Sequence, residues 1–231
     1  GRLSVTNLIQ VYIESGIKKT FATAIDWPGL SRCGKNEESA LQTLYKYCDR
    51  YKVIIKNAGI SFSVPPSNPF HIIDHIPGSA STDFGVPEAK FEEDNKPLNA
   101  EELSALTNVL NACWEYYDRI RHDAIGKQLS VGPRGGGRQT EQIHKHDIEA
   151  NIAYLGKLGG AFDYDTSQPL ELILNSLREN MLSTLAASTR GEISLQGPRG
   201  GSRWLPRYFI RRVAWHTLDH AWEIEDRLPY Q

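Results

Sequence analysis

Two histidines four residues apart, His216 and His220, are the residues of this chain whose type and spacing best suit chemistry. They lie in Val213-Ala214-Trp215-His216-Thr217-Leu218-Asp219-His220-Ala221-Trp222-Glu223, a segment with helical patterning. Residues at i and i+4 share one helix face, and two imidazoles on one face can grip a single transition metal. The stripe Phe209, Val213, His216, His220, Ile224 puts both on the side that should face a core. Spacing leaves two outcomes open, metal ligation or a histidine pair satisfied by hydrogen bonds inside a helical core. The His-Glu-x-x-His pattern of metalloproteases is missing.

A metal site needs a further protein ligand. His146 shares a stripe with Ile143 and Ala150, and His144 would take the same role if that helix were rotated. Three histidines with an open position are expected of a catalytic site, whereas a structural site is more often closed by four ligands. Asp219 and Glu223 flank the pair, either to orient an imidazole through its second nitrogen or as solvent-facing charges. His71, His75 and His122 stand alone and read as ordinary surface or core histidines.

The elements that must position these residues follow from patterning. The first half reads as strands over 8–14 and 20–26, joined by a hairpin loop through Gly16. A helix over 36–51 comes next, with Asn36 as N-cap and Glu37 and Glu38 in its first turn. A further strand is expected over 70–76. Pro65-Pro-Ser-Asn-Pro69 cannot be an element interior. The Gly-, Pro- and charge-rich stretch over 77–97 places a domain boundary near residue 96, giving domains 1–96 and 97–231. The second half reads as four amphipathic helices. The first starts at Asn99, with Glu102 completing a capping box, and carries Leu103, Leu106, Val109, Leu110, Cys113, Trp114 and Tyr117 at helical spacing. The second covers about 139–157, with Ile143, His146, Ala150 and Ala153 on one stripe. The third begins near Pro169 and carries Leu170, Leu174, Leu177, Met181 and Leu185, and the fourth begins near Pro206. Four such helices predict a bundle, and the whole chain an α+β protein.

A short repeat marks the approaches to the two histidine helices. Gly132-Pro133-Arg134-Gly135-Gly136-Gly137-Arg138 recurs as Gly197-Pro198-Arg199-Gly200-Gly201-Ser202-Arg203. Arg134, Arg138, Arg199 and Arg203 would either form a basic rim for an anionic substrate or pair with bundle carboxylates such as Asp219, Glu223 and Asp226. Neither copy ends in the Gly-Lys-Ser/Thr of a Walker loop.

Composition narrows the classes. In 231 residues, 40% hydrophobic and 23% charged with a formal net charge of -2, no global drive toward nucleic acid or an anionic membrane exists. Lys18, Lys19 and Arg32 are too few for a nucleic-acid surface on the front sheet. No apolar run reaches the ~18 residues of a spanning helix, so no membrane partner is expected. Cys33, Cys48 and Cys113 are scattered and form no Cys-x-x-Cys pair; they read as reduced thiols of a cytoplasmic protein.

With these residues in place, the second half resembles the DinB-like (YfiT-type) family of metal-binding four-helix bundles. The features that carry the match are His216-x-x-x-His220 followed by Ala-Trp-Glu-Ile-Glu-Asp-Arg-Leu, the segment His146-Asp-Ile-Glu-Ala-Asn151, and a helix separating the two histidine helices. The resemblance covers roughly 98–228. It implies metal ligands at His146, His216 and His220, and a divalent metal, zinc or nickel above all. It further implies metal-dependent transfer of small thiols or hydrolysis on an anionic or thiol substrate, and a homodimer as one expected state. The first half is similar to the HicB-like module over about 5–55, through Phe21-Ala-Thr-Ala-Ile-Asp-Trp-Pro-Gly29, Cys33-Gly34 and Glu37-Glu-Ser-Ala-Leu41. The alternative to an enzyme is a non-catalytic interaction module, in which the bundle is structural and the HicB-like domain binds a protein partner. In that case the metal site would be buried and fully packed, rather than open to a pocket.

Overall fold

The computed structural model describes residues 8–132 and 136–229. The chain divides into two compact units, Gly1–Phe91 and Glu92–Gln231, and its class is mixed α+β.

The first unit is built on a four-stranded sheet, β1 (Ile9–Ser15), β2 (Thr20–Ala24), β3 (Ser31–Gly34) and β4 (Phe70–Pro77), in the order β3-β2-β1-β4. β1 pairs antiparallel with β2 and parallel with β4, and the parallel register shifts between Val11 and Tyr12. Helix α1 (Glu37–Lys56) lies between β3 and β4 in the chain and packs on β2 and β3. Asn36 caps it as expected: its side chain accepts from Ser39 N, and the Ser39 hydroxyl accepts from Asn36 N. The helix runs past the expected end at Tyr51 because Ile54 and Ile55 are fully buried. Their burial outweighs the weak helix propensity of β-branched residues.

Two carboxylates lock the far end of the sheet. Asp83, in the short helix α2 (Ala80–Phe84), accepts from Lys18 N (2.6 Å), Lys19 N (3.0 Å) and Ile17 N (3.1 Å) at the β1–β2 hairpin tip. These backbone donors hold its pKa below the usual carboxylate value. Glu14 on β1 has no exposed surface, and it accepts from the Thr82 hydroxyl and from Glu88 N and Ala89 N. A buried carboxylate is tolerated here because three donors meet it.

The second unit opens with a 3-10 turn (Glu92–Asn95), then α3 (Ala100–Asp123), α4 (Thr140–Leu158), α5 (Leu170–Thr189) and α6 (Pro206–Arg227). The division therefore falls upstream of residue 96. Asp94 in the 3-10 turn is buried and pairs with Arg211 on α6, Arg211 Nη2 donating to Asp94 Oδ2 at 3.0 Å, so the turn belongs with the helices. α6 is the central element, packing on α3 and α4, while α4 also packs on α5. The stripes of α3 and α5 hold over most of their length: Val109, Leu110, Cys113, Trp114 and Tyr117, and Leu174, Leu177, Met181 and Leu185, are buried, whereas Leu103, Leu106 and Leu170 near the helix starts are half-buried.

The stripe expected on α4 is displaced. Ala153 is exposed, and His146 and Ala150 are half-buried, whereas Ile143, His144, Asp147, Ile148, Asn151, Leu155 and Leu158 face inward. Polar residues on this core face are held by hydrogen bonds to their neighbours. Tyr117 Oη and His144 Nδ1 lie 2.5 Å apart, and Asn151 donates to Asp147 at 3.2 Å.

Candidate metal centre

α4 and α6 bring three imidazoles together. His216 and His220 sit one turn apart on α6, and His146 faces them from α4. One ligand atom from each lies within 4.8 Å of the others. The Nε2 atoms of His216 and His220 are 3.1 Å apart, and those of His216 and His146 are 3.5 Å apart. Nitrogens on a tetrahedral zinc, each bonded at about 2.0–2.1 Å, stand about 3.3 Å from one another, so these separations are those of a shared ligand shell.

Carboxylates set which nitrogen faces the centre. Glu223 Oε2 lies 3.2 Å from His220 Nδ1. Asp147 Oδ1 lies 3.3 Å from His216 Nδ1, within ion-pair reach but not aligned as a hydrogen bond. With Nδ1 protonated toward these carboxylates, the two Nε2 atoms present lone pairs to each other. Two acceptors 3.1 Å apart repel unless a cation or proton lies between them. The donor set therefore fits a divalent ion, and the carboxylate–imidazole arrangement is the one that orients metal-bound histidines.

The electrostatics favour the neutral form at two of the three imidazoles. Burial lowers the pKa of His216, outweighing Asp147, and burial together with the neighbouring imidazoles lowers that of His146; neutral imidazoles are the form that binds metal. Burial also opposes charge on His220, but Glu223 and Asp219 outweigh it and raise its pKa. Burial pushes Asp147 up, but contact with His216 and the charges around it hold its pKa below the usual value.

His144, the alternative third ligand, turns the other way. It packs edge-on against Tyr117 at 5.6 Å between ring centroids, and burial lowers its pKa to about 4. A folded-state value of about 4 against the ordinary 6.5 of a histidine means that the unfolded chain binds the extra proton between those pH values. His144 thus withdraws stability as pH falls through that window, by about 3 kcal/mol in all. In urea titrations of chelator-treated protein, His144→Gln is expected to lose less stability than wild type between pH 7 and pH 4. An identical pH slope in both proteins would contradict the assignment.

The other expected residues are more scattered. Arg134 lies outside the described residues. Arg138 and Arg199 are exposed, and the charge of Arg138 reaches His146. Arg203 is half-buried and donates to the Ser194 carbonyl at 3.0 Å rather than to a bundle carboxylate. Glu223 is bonded by His220 and Arg227. The two glycine loops close alike, Gly132 N–H donating to Gly136 O and Gly197 N–H to Gly201 O, both at 2.6 Å. His75 pairs with Glu37, and His122 lies 2.7 Å from Glu171. The Cys48 and Cys113 thiols are pushed up to about 12 by burial, which suits inert core thiols.

Asp147 and Tyr154 meet His216 without having been expected there, and Arg212 lies one turn before it on α6. Arg212, His216 and His220 form one i, i+4, i+8 row, and Tyr154 lies two turns along α4 from His146. These spacings were the available signal. The Tyr154 ring stands edge-on to His216 at 5.5 Å. Compared with protein-family models, with curated proteins and with solved structures, the chain has no match. Among the described residues no helix is long and apolar enough to cross a membrane.

Proposed function

We propose that the C-terminal unit is a DinB-like bundle that binds one divalent ion, zinc or nickel, through His146, His216 and His220. In this reading it catalyses transfer of a small thiol or hydrolysis of an anionic substrate. The observation that carries the metal reading is the convergence of three Nε2 atoms whose partner nitrogens on α6 face Asp147 and Glu223. A divalent ion bound there supplies a Lewis acid that makes a thiol or water nucleophilic at neutral pH. The chain's own contribution is to fix three imidazole donors, to orient two of them by carboxylates, and to let the positive charge of Arg138 reach His146. Three protein ligands rather than four, with His146 and His220 partly exposed, support an enzyme over a stapled module, since structural sites are mostly closed by four ligands. Irving–Williams ordering admits nickel, copper and zinc at an all-imidazole site, so the preference for zinc or nickel comes from the family resemblance. The HicB-like reading of the N-terminal unit is part of the same proposal, supported by its strand–strand–strand–helix–strand order.

The test is a turnover screen of zinc- and nickel-loaded protein, with small thiols plus 1-chloro-2,4-dinitrobenzene and with simple carboxylate esters. The expected result is turnover that disappears with chelator and in His216→Ala. Turnover indifferent to both treatments, or none with any probe, would contradict the enzyme reading.

A further inference from the structure

Arg212 sits one turn before His216 on α6, in a setting unlike that of its neighbours. Its guanidinium carbon lies 5.2 Å from the Tyr154 ring centroid and 5.4 Å from that of Trp204. Those two rings are 5.3 Å apart, and Trp204 meets Tyr208 edge-on at 4.9 Å. The guanidinium is thus held by aromatic rings, with Nη1 donating to Tyr208 Oη at 2.8 Å. Position is fixed from outside as well, because Trp204 N donates to the Lys157 carbonyl at the end of α4.

What the cage does not supply is an anion. Arg207, Arg211 and Arg227 on the same helix pair with Glu102, Asp94 and Glu223. Arg212 has no such partner among the described carboxylates, and its buried Nε–H has no acceptor. A buried donor on a cation without an acceptor carries a desolvation cost that an incoming anion removes. Four residues of helix separate Arg212 from His216, about 6 Å along the axis, and Tyr154 touches both. The fork is therefore one small molecule's length from the histidine cluster.

We propose that Arg212, braced by Tyr154 and Trp204, receives the carboxylate of the substrate, so that the site selects small molecules carrying a carboxylate a few bonds from the atom presented to the histidines. This rests on the reading of His146, His216 and His220 as a metal centre and names the substrate class it serves. Arg212 is a specificity residue, distinct from the exposed arginines of the glycine loops.

The experiment is calorimetric titration of zinc-loaded protein with 3-mercaptopropionate and with its neutral isostere 3-mercaptopropionamide. Wild type is expected to bind the carboxylate about tenfold more tightly, as a charge-assisted hydrogen bond to a guanidinium warrants. Arg212→Gln should erase the preference while leaving zinc content unchanged, and Arg212→Lys should keep part of it. No preference in wild type, or the same preference in Arg212→Gln, overturns the proposal. If the protein takes up no zinc, the metal reading fails separately. The same pair of ligands titrated into chelator-treated wild type and Arg212→Gln then decides the matter: carboxylate-selective binding that Arg212→Gln abolishes supports the proposal, and its absence overturns it.

Discussion

Saturating zinc is expected to stabilise the C-terminal unit by about 4 kcal/mol over chelator-treated protein when free zinc stands about a thousandfold above its dissociation constant. The reason is that the three Nε2 atoms converge only in the folded unit, one from α4 and two from α6. Zinc bound there opposes separation of those helices. The measurement is differential scanning calorimetry with and without zinc, on wild type and His216→Ala. The wild-type increment should vanish in the variant. Because each protein is compared with itself, packing lost with the imidazole does not enter. An equal zinc increment in both proteins would place the metal elsewhere.

Asp94→Ala should cost the C-terminal unit about 3–5 kcal/mol, the range expected when one partner of a buried ion pair is removed and the other is stranded. Asp94 is 3% exposed, and the Arg211 side chain is 10% exposed. Two parallel contacts join them, Nη1 to Oδ1 and Nη2 to Oδ2. Without the carboxylate, the guanidinium has to remain buried with its strongest partner gone or unpack the 3-10 turn from α6. Replacing both, as Asp94→Leu with Arg211→Met, should recover much of the loss, since no charge is then stranded. Urea denaturation of the three variants reads this directly. A single variant within about 1 kcal/mol of wild type would show that the turn does not depend on the pair.

Periodicity made the helices legible. The α3 and α5 stripes are strong, and Asn36 and Asn99 cap their helices through capping boxes. The histidine pair was legible for the same reason, since i and i+4 on an amphipathic helix share a face wherever the helix packs. β3 was not. Ser-Arg-Cys-Gly has no hydrophobic alternation, and what makes it a strand is its antiparallel pairing with β2, a non-local fact. α4 was read with the wrong face inward because hydropathy treats His144, Asp147 and Asn151 as surface residues, whereas here they bury by bonding to Tyr117 and to each other. The role of Asp147 was hidden in the same way. It lies next to His146 in the chain, yet its partner is His216, 69 residues on. Arg212 stood in plain view on the histidine row, but its aromatic bracket comes from Tyr154 on α4 and Trp204 before α6, which only folding brings together.

Elemental analysis of protein purified without chelator, wild type beside His216→Ala and loaded with zinc or nickel before desalting, tests the metal centre most directly. About one zinc or nickel per wild-type chain, lost in the variant, is the result predicted by His146, His216 and His220 acting as one ligand set. No metal in either protein after loading, or equal metal in both, would contradict it and leave the three imidazoles as core residues of the bundle.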